Sequence, residues 1–210
     1  MVELKNKKPF FVAFEGLDGV GKTTQLKKLT SVLSFVATKE PSNNPIGEFI
    51  KKLTYSNQEI SPIAKALLLI ADRKDHVDTE IKPALNDGKS VITDRFHAST
   101  VAYQCYGEGA DLNLVNYIST QVLRDFEPDV YIFFDLSIGE IQNRLTQRGY
   151  KDFIESKTSD FFERVRIGYL EQIEKKPTKW EILDAGKNPN ELTDDIIKVL
   201  LKRELICFNE

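Results

Sequence analysis

The sequence predicts an α/β fold, a single domain over residues 1–210 in which a five-stranded parallel sheet is flanked by helices. Three observations predict it. Short, near-continuous apolar runs recur along the chain, and stretches of helical period separate them. No repeat, low-complexity tract or Pro/Gly linker divides the chain. Strands covered on both faces read as unbroken apolar runs, and strand–helix alternation implies a parallel sheet between helical layers.

The strands are expected at residues 10–15, 35–38, 90–94, 130–136 and 180–184. A helix over 22–33 places Leu26, Leu29 and Leu33 on one face. Pro62 can open a long helix running towards Pro83, since proline suits a first helical position. A helix over 113–124 carries Leu114, Ile118 and Val122, with Asp111 or Asn113 as cap. Helices over 138–148, 160–175 and 192–205 complete the pattern. In such sheets ligands bind at the carboxyl ends of the strands.

Bulk properties narrow the function classes. The net charge of −3 argues against a nucleic acid polymer as partner, because such partners select for a basic face. Two cysteines, Cys105 and Cys207, give no disulfide framework and suit a reducing compartment. The apolar run at 10–14 is too short for a signal sequence and leads into a Gly-rich loop. No other apolar run approaches the roughly 20 residues a membrane span needs. A cytoplasmic protein without membrane contact is expected.

The loop is Gly16-Leu17-Asp18-Gly19-Val20-Gly21-Lys22-Thr23-Thr24, a full match to Gly-x-x-x-x-Gly-Lys-Thr between an apolar strand and an amphipathic helix. Glycines let backbone N–H groups turn around a polyphosphate, and the helix N-terminus adds partial positive charge. Lys22 suits the β- and γ-phosphates of ATP, and the Thr23 hydroxyl suits Mg²⁺. A guanine-reading Asn-Lys-x-Asp is missing, which excludes a regulatory GTPase and leaves a small-molecule kinase. A second motif, Val91-Ile92-Thr93-Asp94-Arg95, ends a buried strand in an acid suited to Mg²⁺ and an arginine fork suited to phosphate.

These motifs are joined by others in a fixed order. They are Phe14-Glu15-Gly16, Thr38-Lys39-Glu40-Pro41, Ala71-Asp72-Arg73, Ile81-Lys82-Pro83-Ala84-Leu85, Asp94-Arg95-Phe96 and Ser99-Thr100-Val101-Ala102-Tyr103-Gln104. Pro128-Asp129, the stretch from Asp160 to Arg166 and the turn Asp184-Ala185-Gly186 follow. Together they closely resemble the thymidylate kinase family over nearly the whole chain. The resemblance implies the nucleoside monophosphate kinase variant of the P-loop NTPase fold, a homodimer, and transfer of the γ-phosphoryl of ATP to dTMP. By position it implies that Asp18 takes the deoxyribose 3′-OH and Arg95 the dTMP phosphate. Arg73 and Gln104 would bond the thymine, with Ser99 and Thr100 beside it. Tyr103 would occupy the space of a ribose 2′-OH, and Glu15 and Asp94 would serve magnesium or its waters.

Several positions depart from the family pattern. Leu69 stands where a phenylalanine usually stacks on the thymine, so weaker or less selective dTMP binding is expected. Lys39 and Lys51 replace arginines near the acceptor phosphate, keeping charge but losing the fork. Gly19 leaves the phosphate loop without the arginine of one subclass, and Phe153 stands where the other subclass carries it in a lid, here about 148–160. Arg148, Lys151 and Arg144 are the candidates for the missing cation, with Arg148 preferred for its fork. His76 and His97 are not spaced as a metal pair, and surface or packing roles are expected for both. Two rival readings stay open: a kinase of the same fold acting on another nucleotide or nucleoside, and a non-catalytic nucleotide-binding regulator.

Overall fold

The computed structural model describes residues 4–56, 59–148 and 158–208. Strands β1 (Leu4–Asn6), β2 (Phe11–Glu15), β3 (Val36–Lys39), β4 (Val91–Asp94), β5 (Val130–Asp135), β6 (Trp180–Asp184) and β7 (Ile206–Phe208) form two sheets. The larger is five-stranded in the order β3-β4-β2-β5-β6, and every pairing in it is parallel. Strand β2 is central and wholly buried, which its sequence FVAFE achieves by having no polar residue before Glu15. The chain fills one side of β2 with β3 and β4 and then crosses to β5, so the strand order switches beside β2. A crevice at such a switch point is where ligands bind in this architecture.

Register brings the functional strand ends level. Phe14 pairs with Asp94, and Lys39 also pairs with Asp94, so the segments that follow all emerge at one edge. The small sheet, β1 antiparallel to β7, was not expected from the sequence. Three-residue strands carry no usable period, and this pairing joins the two ends of the described chain.

Nine α-helices are described: α1 (Lys22–Leu29), α2 (Pro45–Tyr55), α3 (Pro62–His76), α4 (Lys82–Asn86), α5 (His97–Thr100), α6 (Leu112–Leu123), α7 (Ile138–Arg148), α8 (Ser159–Lys175) and α9 (Pro189–Lys202). Local chemistry explains most of the starts. Asn44, Ser61, Asp111, Thr158 and Asn188 each cap a helix through a side-chain oxygen, and Pro45, Pro62 and Pro189 follow directly. Asn188 and Glu191 form a reciprocal capping box, which starts α9 ahead of the expected Leu192. Helix α1 is shorter than the expected 22–33, although Leu33 stays in the core. The long helix from Pro62 becomes a π-helical turn at Val77–Ile81 before α4, and a second π segment, Val101–Gly107, continues α5. The second segment carries Tyr103, which bonds Asp18 and Arg95, and such insertions are frequent at functional sites.

The main core is built from β2, β4 and β5 with Leu26, Leu29, Phe96, Phe161, Phe162, Tyr169 and Ile196 packed on their faces. A smaller cluster, Ala66, Ile70, Cys105 and Val115, joins α3 to α6. Trp180, the first residue of β6, is buried and stacks on Tyr131 at 4.6 Å. Both cysteines are free thiols. Among the described residues no helix is long and apolar enough to cross a membrane.

Candidate active site

The phosphate loop links β2 to α1 at the carboxyl edge of the sheet. Gly16 adopts φ +139°, and a Cβ there would lie 2.8 Å from the Phe134 carbonyl oxygen, so only glycine fits without a shift. Lys22 is buried, and its Nζ donates to the carbonyls of Gly16 and Leu17, each at 2.9 Å. Burial pulls its ammonium down to about 8, with Arg95 adding to the effect and Asp94, Asp18 and Glu15 opposing it.

The Thr23 hydroxyl donates to Asp94 Oδ2 at 2.7 Å, while Lys22 lies 3.9 Å from Asp94 Oδ1. Asp94 Oδ1 is buried and has no hydrogen-bond partner. An orphaned carboxylate oxygen beside a threonine hydroxyl is the donor set expected for Mg²⁺. That ion takes one or two protein oxygens and fills its shell with water and substrate phosphates. Among the described residues there is no cluster of three or more acidic, histidine or cysteine ligands that would suggest a protein-only cage.

Glu15 does not fit the metal role expected of it. It is fully buried, and its Oε1 accepts from the N–H groups of Phe96 at 2.9 Å and Ser99 at 3.3 Å. Its Oε2 accepts from the hydroxyls of Ser99 at 2.5 Å and Tyr169 at 3.1 Å. All four acceptor directions of the carboxylate are turned to protein. Burial pushes its carboxyl up to about 7, although Ser99, Arg95, the Phe96 N–H and Lys22 all favour the anion. Glu15 holds the segment after β4 in place.

That segment presents Arg95. The residue sits at φ +75°, a left-handed conformation that costs a non-glycine residue about 1–3 kcal/mol and persists where surrounding contacts impose it. Its guanidinium donates to Asp18 Oδ1 at 2.6 Å, Tyr103 Oη at 3.2 Å, Ser99 Oγ at 2.9 Å and the Gly16 carbonyl at 3.2 Å. The Tyr103 hydroxyl in turn donates to Asp18 Oδ2 at 2.8 Å, and Arg95 lies over the Tyr103 ring at 4.8 Å. Packing around Asp18 alone would raise its carboxyl, but Arg95 and Lys22, with the Tyr103 hydroxyl, hold it below the ordinary carboxylate range. The Gly16 carbonyl thus accepts from both Lys22 and Arg95, so the donor loop and the acceptor-side arginine meet at one atom.

Arg73, on α3, is 1% exposed and forms a second buried constellation. Its Nε donates to Glu40 Oε2 at 2.8 Å, and its Nη2 lies 2.7 Å from the same oxygen and 2.9 Å from Thr100 Oγ1. Its Nη1 is buried with no partner, a donor left over for a ligand. Tyr103 and Gln104 are buried on the adjoining π segment. Leu69 is half-buried one helical turn before Arg73.

Other expected residues are less drawn in. Lys39 is exposed, and Lys51 pairs with Glu48 at 2.8 Å and Asn43 at 2.9 Å on the surface of α2. Arg144 donates to the Ala185 carbonyl at 2.9 Å, which ties it to the Asp184-Ala185-Gly186 turn. The Arg148 side chain, Lys151 and Phe153 lie outside the described residues, as do residues 149–157 generally. Gly19 is at φ +85° with Leu145 3.2 Å from where a Cβ would sit, so a side chain at that loop position meets both strain and contact.

Sequence reasoning missed four side chains here. Glu40 neutralises Arg73, Tyr169 touches Arg95, Ser99 and Glu15, and Asp72 anchors Ser42 through two hydrogen bonds at 2.6 and 2.9 Å. His76, expected at the surface or in packing, is buried and bonded to Thr38 and Glu40. Glu40 and Asp72 gave a signal, as part of Thr38-Lys39-Glu40-Pro41 and Ala71-Asp72-Arg73, but all four lie far from their partners in sequence.

The family model described as thymidylate kinase matches residues 14–196. The chain belongs to the thymidylate kinase family. It is 36% identical over 199 residues to the thymidylate kinase of Ruthia magnifica, covering 91% of this chain and 97% of that protein. Against the Mesoplasma florum thymidylate kinase the identity is 35% over 201 residues, covering 92% and 95%. The solved thymidylate kinase of Ehrlichia chaffeensis is similar with a TM-score of 0.74 and 30% identity, over 92% of this chain and 99% of that one. As a thymidylate kinase family member the chain is an ATP-dependent nucleoside monophosphate kinase with the P-loop fold.

Proposed function

We propose that this thymidylate kinase family member transfers the γ-phosphoryl of ATP to dTMP, giving dTDP and ADP, with the residue roles that follow. The observation that supports these roles is the shared Gly16 carbonyl, which accepts from both Lys22 and Arg95 and so brings the two cations together. The loop amides and Lys22 receive the β- and γ-phosphates of ATP. Arg95 receives the phosphate of dTMP, and Asp18 the sugar 3′-OH. An oxygen of the dTMP phosphate forms a bond to the γ-phosphorus as the bond to the β,γ-bridging oxygen breaks. Lys22 and Arg95 are fixed before the reaction and stabilise the charge that shifts between the phosphates. Thr23 and Asp94 would hold Mg²⁺, which supplies further charge neutralisation at the transferred group.

Arg73 reads the thymine through its free Nη1, with Gln104 and Thr100 beside it, and Leu69 covers the base face. The Tyr103 ring, buried beside Asp18, stands against a ribose 2′-OH. Arg148 supplies the further lid cation; Arg148→Ala should lower kcat more than about tenfold, equal to about 1.4 kcal/mol, and a smaller loss removes the role. A cytoplasmic homodimer is proposed. In support, Leu67, Leu114 and Tyr117 are exposed on α3 and α6, which pack side by side.

The test is a coupled assay with dTMP, dUMP, dCMP and thymidine. Clear preference for dTMP is expected, and preference for another acceptor overturns the substrate assignment. Binding of ATP and dTMP without ADP release would instead identify a regulator.

A further inference from the structure

We infer that His76 is a positioning residue for acceptor recognition: through Glu40 it fixes the angle at which Arg73 meets the base. This rests on the proposal that Arg73 reads the thymine.

The geometry of the Arg73–Glu40 pair makes a third group necessary. A forked arginine–carboxylate pair that uses both oxygens sets its own plane. Here Nε and Nη2 of Arg73 converge on one oxygen, Glu40 Oε2, at 2.8 and 2.7 Å. Such a contact does not by itself fix the carboxylate plane; Thr100 holds the guanidinium at Nη2, and the second carboxylate oxygen needs a partner of its own. The second oxygen, Oε1, is held by His76 Nδ1 at 3.2 Å. The ring is fixed from its other side by the Thr38 hydroxyl, 2.7 Å from Nε2. Glu80 Oε2 approaches Nε2 at 3.5 Å from the π segment.

A carboxylate oxygen only accepts, so Nδ1–H of His76 donates to Glu40 Oε1, while Nε2 faces the Thr38 hydroxyl and Glu80 Oε2. A chain of contacts therefore runs from strand β3 through the imidazole and the carboxylate to Arg73, whose Nη2 is pinned by Thr100 and whose Nη1 remains free. His76 and Glu40 are both buried, and removing a donor from a buried anion leaves an unmet acceptor that the carboxylate can relieve only by rotating.

The test separates aim from folding. His76→Leu should raise the dTMP KM about tenfold, with kcat within about threefold and the ATP KM unchanged. His76→Asn, whose amide nitrogen falls near the Nδ1 position, should restore most of the dTMP KM. Equal effects on both substrates, or an Asn variant no better than Leu at matched thermal stability, overturn the inference. Should His76→Leu not fold, Glu40→Gln must show the same split between substrates, and its absence overturns the inference as well. Arg73→Gln is measured in parallel. A raised dTMP KM for Arg73→Gln with a silent His76→Leu overturns the inference alone. A silent Arg73→Gln overturns the base-reading proposal, and the inference with it.

Discussion

At the phosphate loop Lys22 is held by two backbone carbonyls, Gly16 and Leu17; in the pocket proposed for the acceptor, Arg95 and Arg73 are held by the carboxylates of Asp18 and Glu40. The carbonyls are dipoles and the Asp94 carboxylate lies 3.9 Å off, so burial, with Arg95, outweighs the nearby carboxylates and pulls the ammonium down to about 8. The Arg95 guanidinium goes the other way. Burial works against its charge, but Asp18 and the tyrosines 103 and 169 hold it well above its ordinary range. Lys22 has its salt-bridge carboxylate at 3.9 Å, while Arg95 and Arg73 are paired at 2.6 and 2.7 Å. On the roles proposed above, the acceptor arginines are aimed beforehand and the donor lysine keeps charge for the arriving phosphate.

The sharpest way to break this contrast is Glu40→Ala. If the acceptor pocket depends on pairing, the variant leaves Arg73 as an uncompensated buried charge and should lose about 3–5 kcal/mol of stability in denaturant unfolding. A loss below about 1 kcal/mol would mean that water or a neighbour replaces the carboxylate. Lys22→Met probes the other side. Its kcat should fall about 10²–10³-fold with stability unchanged or improved, because the buried ammonium is costly before phosphate binds. A destabilised Met variant would show that the carbonyls and Asp94 together satisfy the lysine.

His97 offers the case with neither solution. Its Nε2 faces Asn116 Oδ1 at 3.2 Å and its Nδ1 has no partner. Burial draws its pKa from 6.5 down to about 4, with Arg73 reinforcing the shift. The folded state thus binds this proton less readily than the unfolded chain. Its contribution is present above about 6.5 and is lost as pH falls towards about 4, by up to about 3 kcal/mol. Urea melts from pH 7 to 4 should show a shallower fall for His97→Gln than for the natural chain; parallel curves would remove the histidine as the cause. The smallest effect concerns the base face. Leu69→Phe should strengthen dTMP binding by about 0.5–1.5 kcal/mol, seen as a lower KM, and an unchanged or higher KM would show that leucine already packs the site fully.

The contrast also explains what could be read in advance. The donor loop was legible because its chemistry is local: Gly16 to Thr24 is one turn between a strand and a helix, and Lys22 bonds atoms five and six residues away. Asp94 and Arg95 were legible because an apolar strand ended in them. The pairings of the acceptor pocket were not. Arg95 meets Asp18 across 77 residues and Arg73 meets Glu40 across 33, and no spacing rule connects them. The surroundings of Glu15 were hidden for a related reason. Its place at the end of β2 beside the loop suggests a metal, whereas Ser99 and Tyr169, 84 and 154 residues away, occupy its oxygens.

By itself, then, the sequence determined the alternation of strands and helices, the phosphate loop, the acid–arginine strand end and the family. Each rests on periods and turn chemistry that act over a few residues. Only the tertiary structure decided that Phe96, Ser99 and Tyr169 bond the oxygens of Glu15, that Arg95 is strained onto Asp18 and Gly16, and that buried His76 stands behind Glu40 and Arg73. Those facts depend on which side chains share a low-dielectric space, and that is settled by the order and register of the sheet.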